Sequence, residues 1–378
     1  MLNKHYMCGN NSFGQVSAAR IAADASISEG TPESHLCYCH PVQVQPCEHV
    51  TFTWSQAWCI DKNGSLTCYG FHSDTWTNMK PSSVCAAMAT KSGVMIQAAD
   101  GFVRHYLENG EFETVTVAGV SPEAVFQGAT NTKVYCLQRT QLSECHLDES
   151  KVTGCEYRLG FSDLLPRVSV THVACGLEHT LILTEGGQVM SCGSCSRGQL
   201  GHGEVSVDAV LVPRVIQTFQ GVNIIAIATG GWHSVGLSDA GDMYVWGWNE
   251  SGQLGLPCSD RSDPQRANPS GSLHQDLDSI HIQPEPYGLD LPDDLQVVMV
   301  TCGSRHTEIL TADHKLYSTG WNKYGQLCLS DTHYRDCLTR VTWFDQRGEL
   351  VQKVSAGAWN TFVVTVMTNV DCSVSSVT

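Results

Sequence analysis

Residues Asn223 to Leu256 read NIIAIATGGWHSVGLSDAGDMYVWGWNESGQLGL, and the fold is decided by how this stretch is read. A short apolar run, Ile224 to Ile227, meets the turn Gly230-Gly231-Trp232-His233-Ser234. A second run, Val235 to Leu237, reverses through Ser238 to Asp242 into Met243-Tyr244-Val245-Trp246-Gly247. Ser251-Gly252-Gln253-Leu254-Gly255 closes the stretch. Short runs rich in β-branched and aromatic residues, divided by Gly and Asp, are strands joined by tight turns. No window carries the i, i+3, i+4, i+7 spacing of a helix.

The stretch recurs. Upstream stand Val173 to Leu183 around His179, then Gln188 to Gly193, then Arg197-Gly198-Gln199-Leu200-Gly201. Downstream stand Thr301 to Leu310 around His306, then Lys315 to Gly320, then Tyr324-Gly325-Gln326-Leu327. A half-copy, Ser355 to Val364, has Asn360 in the place of the histidine. His179 and His233 lie 54 residues apart, as do His306 and Asn360. The longer interval between His233 and His306 places an insertion there. A fixed period with matched turn residues marks a repeat architecture. Fainter units follow the strand pattern near residues 55, 93 and 131, so seven cores are expected, near 55, 93, 131, 179, 233, 306 and 360.

The pattern Gly-x-x-His-Ser/Thr, strand, turn, Tyr-x-Trp-Gly-x-Asn-x-x-Gly-Gln-Leu-Gly resembles the repeat of the regulator of chromosome condensation family. The match is specific over residues 173 to 330 and weak elsewhere. The resemblance implies an all-β, seven-bladed β-propeller, one domain spanning 1–378. Cys8-Gly9 and Gly14-Gln15 fall on Trp246-Gly247 and Gly252-Gln253 of the repeat. Tyr6 to Val16 and Trp359 to Val366 are therefore expected to share one blade, closing the ring by pairing N- and C-terminal strands. Closure removes exposed strand edges.

Residues 257–294 are expected to form an acidic, Pro-rich insertion loop, and 367–378 a disordered tail. The insertion holds eight acidic residues, among them Asp276, Asp278, Asp293 and Asp294, against Arg261 and Arg266. Over the whole chain 22 basic face 38 acidic residues, a net charge of −16. Such a balance disfavours direct DNA binding, which engages phosphates through Lys and Arg. It favours histones or another basic protein. The longest apolar runs are strand-sized, so no membrane span is expected. The first eight residues carry no apolar core of signal-peptide length. The 18 cysteines are therefore read as free thiols packed in strands.

No catalytic constellation emerges. His179, His233 and His306 share one repeat phase, which suits a buried hydrogen-bonding role tying a turn to the next strand better than a metal cluster. Cys192 and Cys195 fall on the repeat positions of Trp246 and Asn249, so the repeat explains them without a metal. Gly198, Gly252 and Gly325 lack the Gly-Lys-Ser/Thr of a phosphate loop and suit φ > 0 in a tight turn. No catalytic residue, cofactor or metal is expected. Trp232 and Trp248 are candidate interface anchors, with Leu177 or Ser304 aligned to the first and Ser194 or Asn322 to the second.

One small member of the family is similar more closely. That resemblance implies a nuclear, chromosome-associated scaffold, with the cytosol as a second location. It also implies a JmjC-type oxygenase or histone lysine demethylase as partner, with roles in histone methylation and chromosome segregation. The founding member's guanine-nucleotide exchange on a small GTPase is the alternative. A monomeric propeller is expected. Arg158, in a stretch outside the strand pattern, is the candidate for modification by an oxygenase partner.

Overall fold

The computed structural model describes residues 3–12, 37–70, 84–99, 103–107, 112–118, 123–146, 156–160, 162–258, 279–292 and 295–367. Among the described residues the regular structure is β, apart from two short 3-10 turns. The strands form seven sheets, mostly of four antiparallel strands, and these are the blades of a closed propeller. Each expected core lies at the start of a blade's second strand. These strands are Gln56–Ile60, Gly93–Ala98, Lys133–Gln138, His179–Thr184, His233–Ser238, His306–Thr311 and Asn360–Met367, in blades 1 to 7.

The second strands of blades 4, 5 and 6 are buried along their whole length. Successive side chains of a strand point to opposite faces, and both faces of a blade meet a neighbour. One apolar cluster fills each of the seven seams. Leu181, Phe219 and Trp246 join blades 4 and 5, Leu237, Val245 and Ile309 join blades 5 and 6, and Met7, Phe52 and Phe362 join blades 7 and 1.

Blade 7 closes the ring as expected. Its strand order is Cys37–Val44, Asn3–Asn10, Asn360–Met367, Glu349–Ala356. Asn3 pairs with Val366 and Gly9 with Asn360. The buried Glu349 carboxylate accepts from Lys4 Nζ at 2.8 Å, Tyr6 Oη at 2.8 Å and Thr365 Oγ1 at 2.7 Å. A buried carboxylate is tolerated when its lone pairs are met in this way. The two ends of the chain are thus tied by charge as well as by strand pairing.

Four expectations need correction. Within 148–168, Glu156–Gly160 is a strand, and Arg158 lies in it opposite Thr116. It runs parallel to Phe112–Ala118 and makes blade 2 five-stranded, while Ser162–Asp163 completes blade 3. Parallel pairing with a distant segment has no local signature. Within 257–294, Ile282–Gly288 is the fourth strand of blade 5. Its two prolines suit an outer strand, whose free edge needs no N–H donors. Asp276, Asp278, Asp293 and Asp294 lie outside the described residues. Met367, expected in the tail, ends the last strand, and the remainder of that tail is also outside them. Finally, a disulfide joins Cys8 of blade 7 to Cys328 of blade 6, against the reading of all cysteines as free thiols. Residues this far apart in the chain become neighbours only on ring closure.

Candidate protein-interaction face

The repeat histidines tie blades to one another. His179 Nε2 lies 2.9 Å from Ser234 Oγ of the next blade, and His233 Nε2 lies 2.9 Å from Thr307 Oγ1. His306 Nε2 lies 3.3 Å from Thr361 Oγ1. The hydroxyls of Ser234, Thr307 and Thr361 donate to the Gln199, Gln253 and Gln326 carbonyls at 2.9, 2.7 and 2.7 Å. Each hydroxyl has one proton, so in the first two bridges the imidazole donates through Nε2–H. Burial pulls all three histidines down to about 3, so they are neutral at physiological pH. The tie thus runs to the neighbouring blade.

The glycines serve the same seams. A Cβ on Gly176, Gly230 or Gly303 would strike its own repeat's histidine ring and the carbonyl of Gly230, Gly303 or Gly357 in the next blade. Gly198, Gly252 and Gly325 have φ of 70°, 76° and 79°, as a tight turn requires. Each also presses on the next blade, at Pro284, Arg335 and Cys39 respectively. Around the central channel, backbone N–H groups of Asn131, Leu177, Gly231 and Ser304 donate to carbonyls of Leu177, Gly231, Ser304 and Ala358. This chain of bonds runs from blade 3 to blade 7. It rigidifies the mouth of an axial cavity of ≈ 420 Å³.

That rigid rim carries the candidate face. Aligned on the histidines, Trp232 corresponds to Glu178, Arg305 and Trp359, not to Leu177 or Ser304. Trp248 corresponds to Ser194 and Trp321, not to Asn322. These positions touch across blades. The Arg197 guanidinium lies 4.5 Å from the Trp232 ring centre and 5.2 Å from that of Trp248. Arg305 lies 4.4 Å from Trp248 and 5.6 Å from Trp321. Trp232 and Trp248 meet edge to face at 5.5 Å, and Trp232 Nε1 donates to Glu178 Oε2 at 3.1 Å. Trp248 is buried under this stack, whereas Trp232 is half-buried. Burial lowers the Arg305 pKa, and the neighbouring Arg197 adds to this against the pull of Glu250. Further along the rim Trp54 stands 5.4 Å from Trp359, and Tyr324 stands 5.8 Å from Trp359.

Sequence reasoning singled out the two tryptophans and not Arg197 or Arg305. The available signal for Arg305 was that its repeat position holds Glu178, Trp232, Arg305 and Trp359, a charged and aromatic set at a place adjoining the buried histidine. Among the described residues no group of three His, Cys, Asp or Glu stands close enough to hold a metal ion. Cys192 is buried, and Cys195 Sγ donates to the Glu204 carbonyl at 3.2 Å.

Models of the regulator of chromosome condensation (RCC1) repeat match residues 170–199, 224–253 and 297–326, and residues 186–237 and 240–310. The chain carries RCC1 repeats. RCC1 domain-containing protein 1 of Mus musculus is 43% identical over 216 residues, covering 53% of this chain and 56% of that protein. The Homo sapiens protein of the same name is 39% identical over 223 residues, covering 54% and 59%. The chain therefore matches a little over half the length of these relatives. The crystal structure of Prp20p from Saccharomyces cerevisiae superposes with a TM-score of 0.73 at 16% identity, over 97% of this chain and 92% of that one. Over residues 170–326 the RCC1 repeat thus accounts for the histidine bridges and the glycine contacts.

Proposed function

We propose that this RCC1-repeat propeller is a non-enzymatic protein-interaction scaffold, a nuclear partner of a JmjC-type oxygenase or histone lysine demethylase acting in histone methylation and chromosome segregation. The observation that carries the scaffold reading is the Trp232–Arg197–Trp248–Arg305 stack on a rim fixed by buried hydrogen bonds. Rigid aromatic and arginine side chains at the surface are the usual anchors of protein interfaces. The oxygenase and the nuclear setting rest on the resemblance to RCC1 domain-containing proteins. The test is retention of a purified JmjC oxygenase by the immobilised chain. Retention that Trp232→Ala together with Trp248→Ala abolishes supports the reading, and no retention by the wild type rejects the named partner.

Two residue proposals accompany this one. The acidic residues Asp276, Asp278, Asp293 and Asp294 attract a basic partner such as a histone tail, and their replacement by Asn slows association at low salt. Arg158 is a modification target of the oxygenase partner, and an unchanged mass of its peptide after incubation rejects that idea. The second functional reading is guanine-nucleotide exchange. It draws on the likeness to Prp20p, a protein with binding properties toward Gsp1p and histones. Nucleotide release from a small GTPase, measured with and without the chain, separates the two.

A further inference from the structure

Arg197 and Arg305 are held in an unusual way for surface cations. Both guanidinium groups lie over the same indole, Trp248, so two like charges are kept near one another. The indole faces of Trp232 and Trp321 flank the pair. Contact with a ring centre engages no lone-pair acceptor, so N–H groups turned away from the indoles remain for acceptors. Neither guanidinium makes a hydrogen bond or ion pair within the described residues. The nearby carboxylates do not fill this role. Glu178 accepts from the Trp232 indole, and Glu250 acts on Arg305 through space without an ion pair. Lys323, exposed on the same rim, adds a third cation. In a chain of net charge −16 this is a local reversal of sign.

Two fixed forks with open N–H edges, set among aromatic faces, match carboxylates carried on a short peptide. A long polyanion such as nucleic acid would meet the repulsion of the whole chain, whereas a short acidic segment meets mainly the local cations. We propose that the rim formed by Trp232, Arg197, Trp248, Arg305 and Trp321 is a docking site for an acidic segment of a partner protein. Carboxylates of the segment pair bidentately with Arg197 and Arg305, and its flanking side chains lie on Trp232. The proposal rests on the scaffold reading and names the chemistry of the partner at that same face.

The experiment uses the full chain and a fluorescein-labelled peptide of alternating Glu and Gly, with a Gln–Gly peptide and a single-stranded DNA of equal charge as controls. Anisotropy reports binding, and tryptophan emission reports contact with the stack. The expected result is binding of the Glu peptide alone, weakening as salt rises. Arg197→Gln with Arg305→Gln weakens it by roughly tenfold or more. Arg197→Lys with Arg305→Lys keeps the charge but loses the fork, and gives an intermediate loss. Melting curves show whether each variant is folded; if the Gln pair is not, the Lys pair carries the test. Equal binding of the Glu peptide by wild type and a folded Arg variant overturns the proposal. So does arginine-dependent binding of DNA without binding of the peptide. Self-association that the Arg variants abolish, seen by sedimentation, reassigns the face to a second copy and overturns it too. Retention of the oxygenase by wild type and Gln variant alike leaves the scaffold reading standing and places the partner elsewhere. Arginine-dependent peptide binding without oxygenase retention upholds the site and removes only the named partner.

Discussion

At the seam between blades 4 and 5, His179 reaches across to Ser234, whose hydroxyl continues to the Gln199 carbonyl. At the seam between blades 2 and 3, Met88, Met95, Phe126 and Val134 meet in an apolar cluster. The described polar link there is Gln97, which donates to the Ala124 carbonyl at 2.7 Å and accepts from Phe126 N–H at 3.2 Å. Blade 3 has Lys133 at the start of its second strand. Accordingly Thr180, the counterpart of Ser234 in blade 4, sits beside Tyr135 and Cys175 instead of a histidine. Both kinds of seam close the same ring. A directional hydrogen bond fixes residue type, because an unmet buried donor is costly. Apolar packing fixes only volume and pattern, so many residue combinations serve. The polar half is therefore the half in which repeats can be read.

The largest expected effect comes from breaking the ring where the chain ends meet. Deleting residues 1–12 removes the strand between Cys37–Val44 and Asn360–Met367, and strips Lys4 and Tyr6 from buried Glu349. Such a loss is comparable with the whole stability of a domain, on the order of 5–15 kcal/mol. The truncated chain should aggregate without a cooperative melt. A soluble monomer with an unchanged melting temperature would show that the other seams hold the propeller unaided.

Acid should separate the two halves. His179, His233 and His306 are held at about 3 against an ordinary 6.5. A depressed pKa gives stability that is complete above pH 6.5 and lost as pH falls toward 3. At pH 5 this loss is roughly 2 kcal/mol per histidine. Blades 1 to 3 carry His105 in a similar state, lowered to about 4. Hydrogen exchange compared at pH 7 and pH 5 should show blades 4 to 6 losing protection first. Equal losses in both halves would remove the polar seams as the acid-sensitive element.

One polar seam has an opposite pH response. Glu308, fully buried, is pushed by desolvation up to about 8, and its Oε1 lies 2.7 Å from Thr361 Oγ1. A raised pKa gives stability that is complete below pH 4.5 and lost as pH rises through 8. Glu308→Gln should therefore match the wild type at pH 4.5 and exceed it at pH 8 by roughly 4 kcal/mol. Urea midpoints at the two pH values measure this, and parallel curves would mean that Glu308 is ionised in the fold.

The smallest effect is the most direct comparison. Thr307→Val leaves the His233 donor and the Gln253 carbonyl unmet and should cost about 1–3 kcal/mol. Thr180→Val, with no histidine to abandon, should cost less than about 1 kcal/mol by the same reasoning. Chemical denaturation of the two variants decides it, and equal costs would dissolve the distinction between the seams.

The sequence by itself determined the all-β class, the seven blades and the sharing of one blade by both chain ends. These follow from strand-sized apolar runs, matched turn residues and spacing, all carried by neighbours in the chain. It also marked His233, Gly252 and Trp232 as positions of consequence. Only the tertiary structure decided what those residues touch. Each histidine bonds a hydroxyl of the next blade, Gly252 yields space to Arg335, and Trp232 packs on Arg197 of the preceding blade. The same holds for the parallel strand Glu156–Gly160, the outer strand Ile282–Gly288 and the Cys8–Cys328 bond. Local pattern encodes the conformation of a strand, because steric and solvent preferences act residue by residue. Contacts between blades depend on how far the chain travels before the ring brings two repeats side by side, and no spacing within one repeat contains that distance.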